Sequence, residues 1–333
     1  MSSSDFHKEI LVIDGLQYCN WSRSIFEEMI QGGVTAVHVT IVYHEQIRET
    51  LMRIAEWNRL FELHTDLIMP VKSANDIELA KRLGKVGIIF GAQNCSPIED
   101  DIGMVQVMRE LNLMIMQLTY NNQSLLACGC YEKEDSGVTR FGRQVIKEMN
   151  RVGMIIDMSH SGERSTLDAI AISERPIVIS HANPTSFHAA KRNKPDNVLK
   201  ALAESGGLLG FSLYPFHLQN GSDCSLVQFC EMIAKTADLM GVDNIGLGSD
   251  LCQNQPLAVL EWMRNGRWAK VMDYGEGSAS DADWPAPLSW FADSRDFPNI
   301  TQGLLDRGFN KGEVGKIMGQ NWFRFLKEGM APE

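Results

Sequence analysis

The sequence lacks the features of a nucleic-acid-binding or membrane-spanning protein. Its 31 Lys and Arg residues are outnumbered by 42 Asp and Glu residues, which gives a formal net charge of −11. Proteins bind phosphate backbones through clustered Lys and Arg, so this acidic chain predicts no nucleic-acid partner. No apolar run reaches the roughly 18 residues that a membrane span needs, so we also predict no membrane association.

An export signal and a regular cysteine framework are missing as well. The first nine residues contain no basic flank leading into an apolar stretch, so we expect no signal peptide. The seven cysteines are odd in number and irregularly spaced, a pattern that favours reduced thiols over a disulfide framework. Together these absences predict a cytoplasmic protein.

What the sequence does contain is a series of apolar runs, each separated from the next by a helical pattern. Such runs are typical of the buried strands of a parallel sheet. We count eight of them, at residues 9–14, 35–40, 86–93, 113–119, 154–160, 176–181, 206–213 and 244–250. Eight strands alternating with helices predict an α/β fold, the (β/α)8 TIM barrel, with residues 1–333 forming a single barrel domain.

A long segment without clear periodicity follows the eighth strand, at residues 252–298. It contains four tryptophans, Trp262, Trp268, Trp284 and Trp290. Disordered segments are poor in aromatic residues, and long ordered loops in compact domains usually serve a function. We expect the segment to be a lid-like insertion over the barrel mouth or a subunit contact, as in a homodimer. C-terminal helices are expected within residues 300–333.

Three predicted strands end on side chains that can bind a metal ion or carry a proton. His160 ends the fifth strand, His181 ends the sixth and Asp250 ends the eighth. The active site of a (β/α)8 barrel lies at the C-terminal ends of its strands. A single histidine there is more often a structural group, and Asp250 has an alternative role as a helix N-cap. Two histidines on adjacent strands beside a strand-end carboxylate favour an enzyme.

These strand ends resemble those of the renal (membrane) dipeptidase family. The motifs that carry the resemblance are Asp157-Met158-Ser159-His160, Ser180-His181-Ala182-Asn183, Arg192-Asn193, Gly248-Ser249-Asp250 and Gly319-Gln320-Asn321-Trp322. The family is a zinc-dependent branch of the amidohydrolase superfamily, built on a (β/α)8 barrel. The resemblance covers nearly the whole chain, and it implies a two-zinc site that cleaves dipeptides.

The chain departs from the family pattern at the metal ligands. The family motif Asp-Gly-His-x-Asp is replaced by Asp14-Gly15-Leu16-Gln17-Tyr18, so both ligands of the first strand are missing. Gln93 stands where the family has a glutamate that bridges the two zincs. Because a neutral amide offsets two dications poorly, we expect no bridged metal pair.

The resemblance then implies a reduced metal site. One divalent metal, with zinc as the expected ion, would be held by His160 and His181, with Asp250 or Gln93 as weaker donors. Two imidazoles alone bind a metal poorly, so an empty site is the alternative. Asp250 is expected to be the catalytic proton carrier.

The resemblance also places residues around a substrate. Arg192 is expected to face the terminal carboxylate of the substrate, with which a guanidinium forms two parallel hydrogen bonds. A solvated basic loop is the alternative for this residue. Tyr120, which stands where the family has a substrate-contacting histidine, is a further substrate-binding candidate, as are Asn183 and Gln93.

Together the residues and the resemblance predict a metal-dependent dipeptidase-like hydrolase. Its substrate would be a dipeptide or a small amide with a free carboxylate. Two alternatives stay open, an altered small-molecule hydrolase or lyase on the same barrel and a non-catalytic ligand-binding barrel. The strand-end Asp250 favours an enzyme, because a binding protein has no use for a proton carrier there.

Overall fold

The computed structural model describes residues 2–271, 273–280 and 282–331. Within this part of the chain nine parallel strands form one sheet, in the order β2-β1-β9-β8-β7-β6-β5-β4-β3. The strands are β1 Ile13–Gln17, β2 Ala36–Val42, β3 Ile68–Pro70, β4 Val86–Ala92, β5 Leu113–Gln117, β6 Ile155–Asp157, β7 Val178–Ala182, β8 Leu208–Phe211 and β9 Ile245–Leu247. Pairing of β2 with β4 closes eight of them into a barrel, with β3 paired along β4. The predicted (β/α)8 barrel is confirmed.

Helices follow the strands and surround the barrel. The helices are α1 Ser3–Glu9, α2 Arg23–Gln31, α3 Ile47–Leu63, α4 Ala74–Leu83, α5 Gly103–Glu110, α6 Arg140–Val152, α7 Glu163–Ile172, α8 Asp196–Glu204, α9 Leu226–Met240, α10 Leu257–Asn265, α11 Phe297–Arg307, α12 Lys311–Gly315 and α13 Asn321–Gly329. Consecutive helices from α5 to α9 contact one another, as expected for an outer ring. Among the described residues, no helix combines the length and apolar character that a bilayer crossing requires.

Local sequence explains how the chain enters β6, the strand that leads to His160. The Thr139 hydroxyl accepts a hydrogen bond from the Gly142 backbone and begins α6. Gly153 ends the helix in the left-handed conformation, at φ 69°. A Cβ atom at Gly153 would lie 2.8 Å from backbone atoms of residue 331, so glycine is required for space as well as for conformation.

Helix α13 closes the N-terminal end of the barrel. Trp322 is 1% exposed, and its indole Nε1 donates to the Leu247 carbonyl at 2.7 Å. A Cβ atom at Gly15 or at Gly246 would lie 2.3 or 2.7 Å from this indole, so the two glycines permit its close approach. The apolar cluster around Trp322 includes residues from several strand starts, such as Ile13, Ala36 and Leu208, which leaves the C-terminal strand ends for a site.

The segment 252–298 packs over the C-terminal end of the barrel. It contains α10, and two of its positions, 272 and 281, lie outside the described residues. Trp262 and Trp284 pack against an apolar cluster that includes Tyr18 and Tyr120, at the strand ends. The Trp290 indole instead donates to the Cys224 carbonyl at 2.7 Å, on the outer side of the barrel. The segment therefore lies against both the barrel mouth and its rim.

Candidate active site

The strand ends bring His160 and His181 together in the barrel mouth. Their Nε2 atoms lie 3.1 Å apart, and both side chains are buried. The Nδ1 atom of His160 donates to Asn121 Oδ1 at 2.7 Å, so its Nε2 carries the lone pair. Burial lowers the pKa of both imidazoles well below the usual range, and the nearby positive charge of Arg192 lowers it further. Both rings are therefore neutral at neutral pH.

The orientation of His181 is fixed by a carboxylate one strand away. Its Nδ1 lies 2.7 Å from Ser180 Oγ, and that hydroxyl donates to Asp157 Oδ2 at 2.5 Å. The hydroxyl therefore accepts from the His181 Nδ1–H, which directs the Nε2 lone pair into the mouth. Asp157 is fully buried and also accepts from the Ser159 hydroxyl at 2.6 Å. Such supporting bonds are typical of metal-binding histidines.

Gln93 adds an oxygen atom to the two imidazole nitrogens. Its Oε1 lies 2.8 Å from His160 Nε2, while its amide nitrogen donates to Thr40 Oγ1 at 2.8 Å. Donors bonded to one ion at about 2.1 Å lie roughly 3.0–3.4 Å apart, close to the separations found here. Among the described residues, no three or more His, Cys, Asp and Glu side chains are arranged so that they could hold a metal ion together. Two imidazole nitrogens and one amide oxygen therefore supply too few strong donors for more than one ion.

Arg192 lies beside the histidine pair and not in a solvated loop. It is 3% exposed, its Nη2 is 3.2 Å from His160 Nε2, and its Nη1 donates to the Ser159 carbonyl. In the described part of the chain the guanidinium makes no ion pair with a carboxylate, and its contacts are to neutral atoms. A buried cation without a partner charge favours an anionic ligand.

Asp250 presents a buried carboxyl group to the same space. It is 8% exposed and has a positive φ of 62°, an uncommon conformation that is found more often at functional sites. Burial raises its pKa to about 7, against the opposing effect of Arg192. His217 Nδ1 lies 4.0 Å from its Oδ2. A carboxyl group with this pKa can accept and release a proton near neutral pH.

His160, Gln93, Arg192 and Asp250 line one cavity of about 70 Å³. Its wall includes Gln93, Tyr120, His160, Arg192, His217 and Asp250 from the strand ends, together with Met263, Arg264, Tyr274 and Glu276 from the segment 252–298. The Tyr120 ring stacks on the His160 ring at a centroid distance of 4.0 Å. The cavity therefore combines neutral imidazoles, a cationic group and a titratable carboxyl group.

Comparison with known proteins identifies the family of the chain. Residues 22–267 match the family model described as membrane dipeptidase, peptidase family M19. The chain belongs to the membrane dipeptidase family. An amidohydrolase from Pseudomonas aeruginosa has a similar structure, with a TM-score of 0.94 and 36% sequence identity over 99% of both chains.

Two more distant proteins are also similar to this chain, one in sequence and one in structure. Dipeptidase tcpJ of Claviceps purpurea is 26% identical over 290 residues, which are 86% of this chain and 61% of the relative. The chain thus spans about three fifths of the length of this curated relative. A metallopeptidase from Rhodobacter sphaeroides, solved with a phosphinate mimic of the dipeptide L-Ala-D-Ala, has a TM-score of 0.80. Its 16% identity, over 96% of this chain and 99% of its own, shows a shared fold.

The first metal site implied by the membrane dipeptidase pattern is filled by apolar and aromatic side chains. Leu16 is fully buried, and Tyr18 is 3% exposed. The Tyr18 ring lies 6.1 Å from Tyr43 and 6.0 Å from Trp284, measured between centroids. Aliphatic carbon and neutral phenol groups are poor ligands for zinc. The side chains present therefore do not fit a pair of ions.

His181 contacts His160 without lining the cavity, and Asn183 also lies outside the cavity lining. The Asn183 amide nitrogen donates to the carbonyls of Ser212 at 2.9 Å and His217 at 3.2 Å. It therefore supports the turn after β8, and a role in substrate binding remains a prediction.

Sequence reasoning missed His217, whose Nδ1 lies 2.9 Å from Ser212 Oγ, at the cavity wall. The signal was available, since this histidine follows the seventh predicted strand by a few residues. It also missed the Asp157 and Ser180 pair below His181, although both lie in the quoted motifs.

Proposed function

We propose that the chain is a dipeptidase-like hydrolase that cleaves the amide bond of a dipeptide or of a small amide with a free carboxylate. The observation that carries the proposal is that two side chains face one small cavity beside two neutral imidazoles. They are the titratable Asp250 and Arg192, which makes no ion pair with a carboxylate of the described residues. Membership of the membrane dipeptidase family supports the reaction class.

The proposed metal content is a single divalent ion, with zinc as the expected one. His160 and His181 would hold it through Nε2, and the amide oxygen of Gln93 would be a weak third donor. When bound, the ion would polarise the scissile carbonyl and lower the pKa of a bound water. Binding is expected to be weak, because only two ligands are strong donors and the cationic Arg192 lies 3.2 Å from one of them.

Arg192 is proposed to bind the substrate's terminal carboxylate. Its guanidinium is oriented by bonds to the carbonyls of Ser159 and His181. Because the buried cation makes no ion pair with a carboxylate of the described residues, a carboxylate of the substrate could pair with it. This contact would fix the position of the amide bond relative to Asp250.

Asp250 is proposed to move the proton during hydrolysis. As a carboxylate it accepts a proton from the attacking water, and as an acid it returns that proton to the leaving amine. A pKa of about 7 keeps both forms populated at neutral pH. Positioned acid–base groups of this kind supply roughly 10²- to 10⁴-fold in rate.

The segment 252–298 is proposed to act as a lid. Met263, Arg264, Tyr274 and Glu276 bring its side chains to the cavity wall opposite the strand ends. A lid excludes water from the reacting groups and strengthens their electrostatic interactions.

A panel of dipeptides assayed with added zinc, cobalt or manganese tests the proposal. We expect hydrolysis of at least one dipeptide, and a loss of at least tenfold in kcat/KM when its C-terminal carboxylate is amidated. Equal turnover of the acid and the amide would contradict the role of Arg192. Absence of hydrolysis combined with measurable ligand binding would favour a non-catalytic barrel.

A further inference from the structure

A second cavity of about 320 Å³ lies next to the one described above. It is formed by the turn after β8, the residues that follow β9, and residues 284–293 of the lid segment. Asp250 and Tyr214 line both cavities. The two cavities are therefore neighbours that meet at these two side chains.

The wall of this second cavity is mainly apolar. Its apolar members include Leu213, Pro215, Trp284, Leu288 and Phe291. No Lys, Arg or His is among its described lining residues.

Apart from Asp250, the charged residue in this wall is Asp293, and its carboxylate pairs with Arg295 at 2.6 Å. The described lining of the second cavity thus offers no cationic side chain to pair with a carboxylate, whereas a hydrocarbon or aromatic group would fit its surface.

The first cavity is too small for a whole substrate with large side chains. A volume of about 70 Å³ takes on the order of five water molecules. That space suits the terminal carboxylate and the amide bond between Arg192 and Asp250. Any bulky group on the substrate must lie elsewhere.

We propose that the second cavity binds a large apolar side chain on the acyl residue of the substrate, the residue that supplies the scissile carbonyl. This inference rests on the proposed function. Arg192 lines the first cavity and not the second, so the carboxylate end of the substrate faces away from the second cavity. The group that crosses Asp250 is then the acyl residue. The substrate class is a dipeptide, or an N-acyl amino acid, with a bulky apolar acyl part.

Three dipeptides that share a C-terminal alanine, Gly-Ala, Leu-Ala and Phe-Ala, test this inference. Burying a whole apolar side chain should raise kcat/KM about tenfold or more over the glycine dipeptide. Trp284→Ala removes the largest ring of the wall and should lower this preference at least fivefold. Trp268→Ala is the matched control, because its ring packs on His44 and lines neither cavity, and it should keep the preference within twofold.

The result separates failure of the inference from failure of the function. Hydrolysis of all three dipeptides at equal kcat/KM, or an unchanged preference in Trp284→Ala, overturns the inference and leaves the hydrolase proposal intact. If none is hydrolysed, the hydrolase proposal fails. The side-chain preference is then measured from calorimetric Kd values for the same three dipeptides. Tighter binding of Leu-Ala and Phe-Ala supports the second cavity as the binding site, and equal or undetectable binding overturns it.

Discussion

Replacing Asp250 with asparagine keeps the shape of the side chain and removes its ability to carry a proton. If the proposed role is correct, kcat should fall by about 10²- to 10⁴-fold. The wild-type activity should also depend on pH, because the base must be ionised. With a pKa of about 7, about half of the carboxyl groups are ionised at pH 7 and about a tenth at pH 6. The kcat/KM of the wild type should therefore fall nearly tenfold per unit below pH 6.

The same substitution, which should lower the activity, should raise the stability of the folded protein above pH 4. Burial raises the pKa of Asp250 from 3.8 to about 7, so the folded state holds its proton more strongly than the unfolded state. The resulting loss of stability grows between about pH 4 and pH 7 and is constant above that window. Raising the pKa by about three units lowers the free energy of unfolding by at most about 4 kcal/mol. Asp250→Asn should thus be more stable than the wild type at pH 8 and equally stable at pH 4.

Two measurements on one pair of proteins check this reasoning. Steady-state kinetics with the best dipeptide give the activity, and urea unfolding at pH 8 and pH 4 gives the free energy of unfolding. A variant with near wild-type kcat would refute the catalytic role. A variant that is less stable than the wild type at pH 8 would refute the assignment of a strained, desolvated charge.

Further predictions concern Arg192, the proposed metal ion and Ser180, the residue that orients His181. Arg192→Lys should lower kcat/KM for the free acid by at least tenfold and leave that for the amide nearly unchanged, measured on matched substrate pairs, since an ammonium lacks the planar fork. Metal analysis after zinc reconstitution should give at most one ion per chain, lost in His160→Ala and in His181→Ala; two ions per chain in the barrel would contradict the reduced site. Ser180→Ala should weaken zinc binding about 10- to 100-fold in a chelator competition, and unchanged affinity would rule out the supporting role of the Asp157 chain.

The barrel was predictable because its strands are buried on both faces. Apolar runs such as 113–119 and 176–181 mark such strands directly, and their alternation with helices gives the closed sheet. The additional strand β3 was not predicted, since Ile68–Pro70 has only three residues and ends on a proline.

The candidate site was predictable only in part. His160, His181 and Asp250 come directly at strand ends, where the topology fixes their location. Asn183 follows the same logic, yet its side chain turns toward Ser212 and His217, because the rotamer at a strand end depends on local bonds that a sequence pattern does not show. The segment 252–298 has no periodicity, so the contribution of Arg264 to the cavity wall could not be derived.

The seam where β1 meets β9 has a consequence for the order of folding. These strands share one paired position, Asp14 with Leu247, and their main side-chain contact joins Asp14 to Ser249 across 235 positions. The Trp322 indole, bonded to Leu247, completes the same seam. Contacts between such distant residues form late, because closing a long loop is entropically costly. Asp250, one residue past Ser249, should therefore reach its active position in the final step of folding, so a refolding assay that follows activity should lag behind one that follows helix formation.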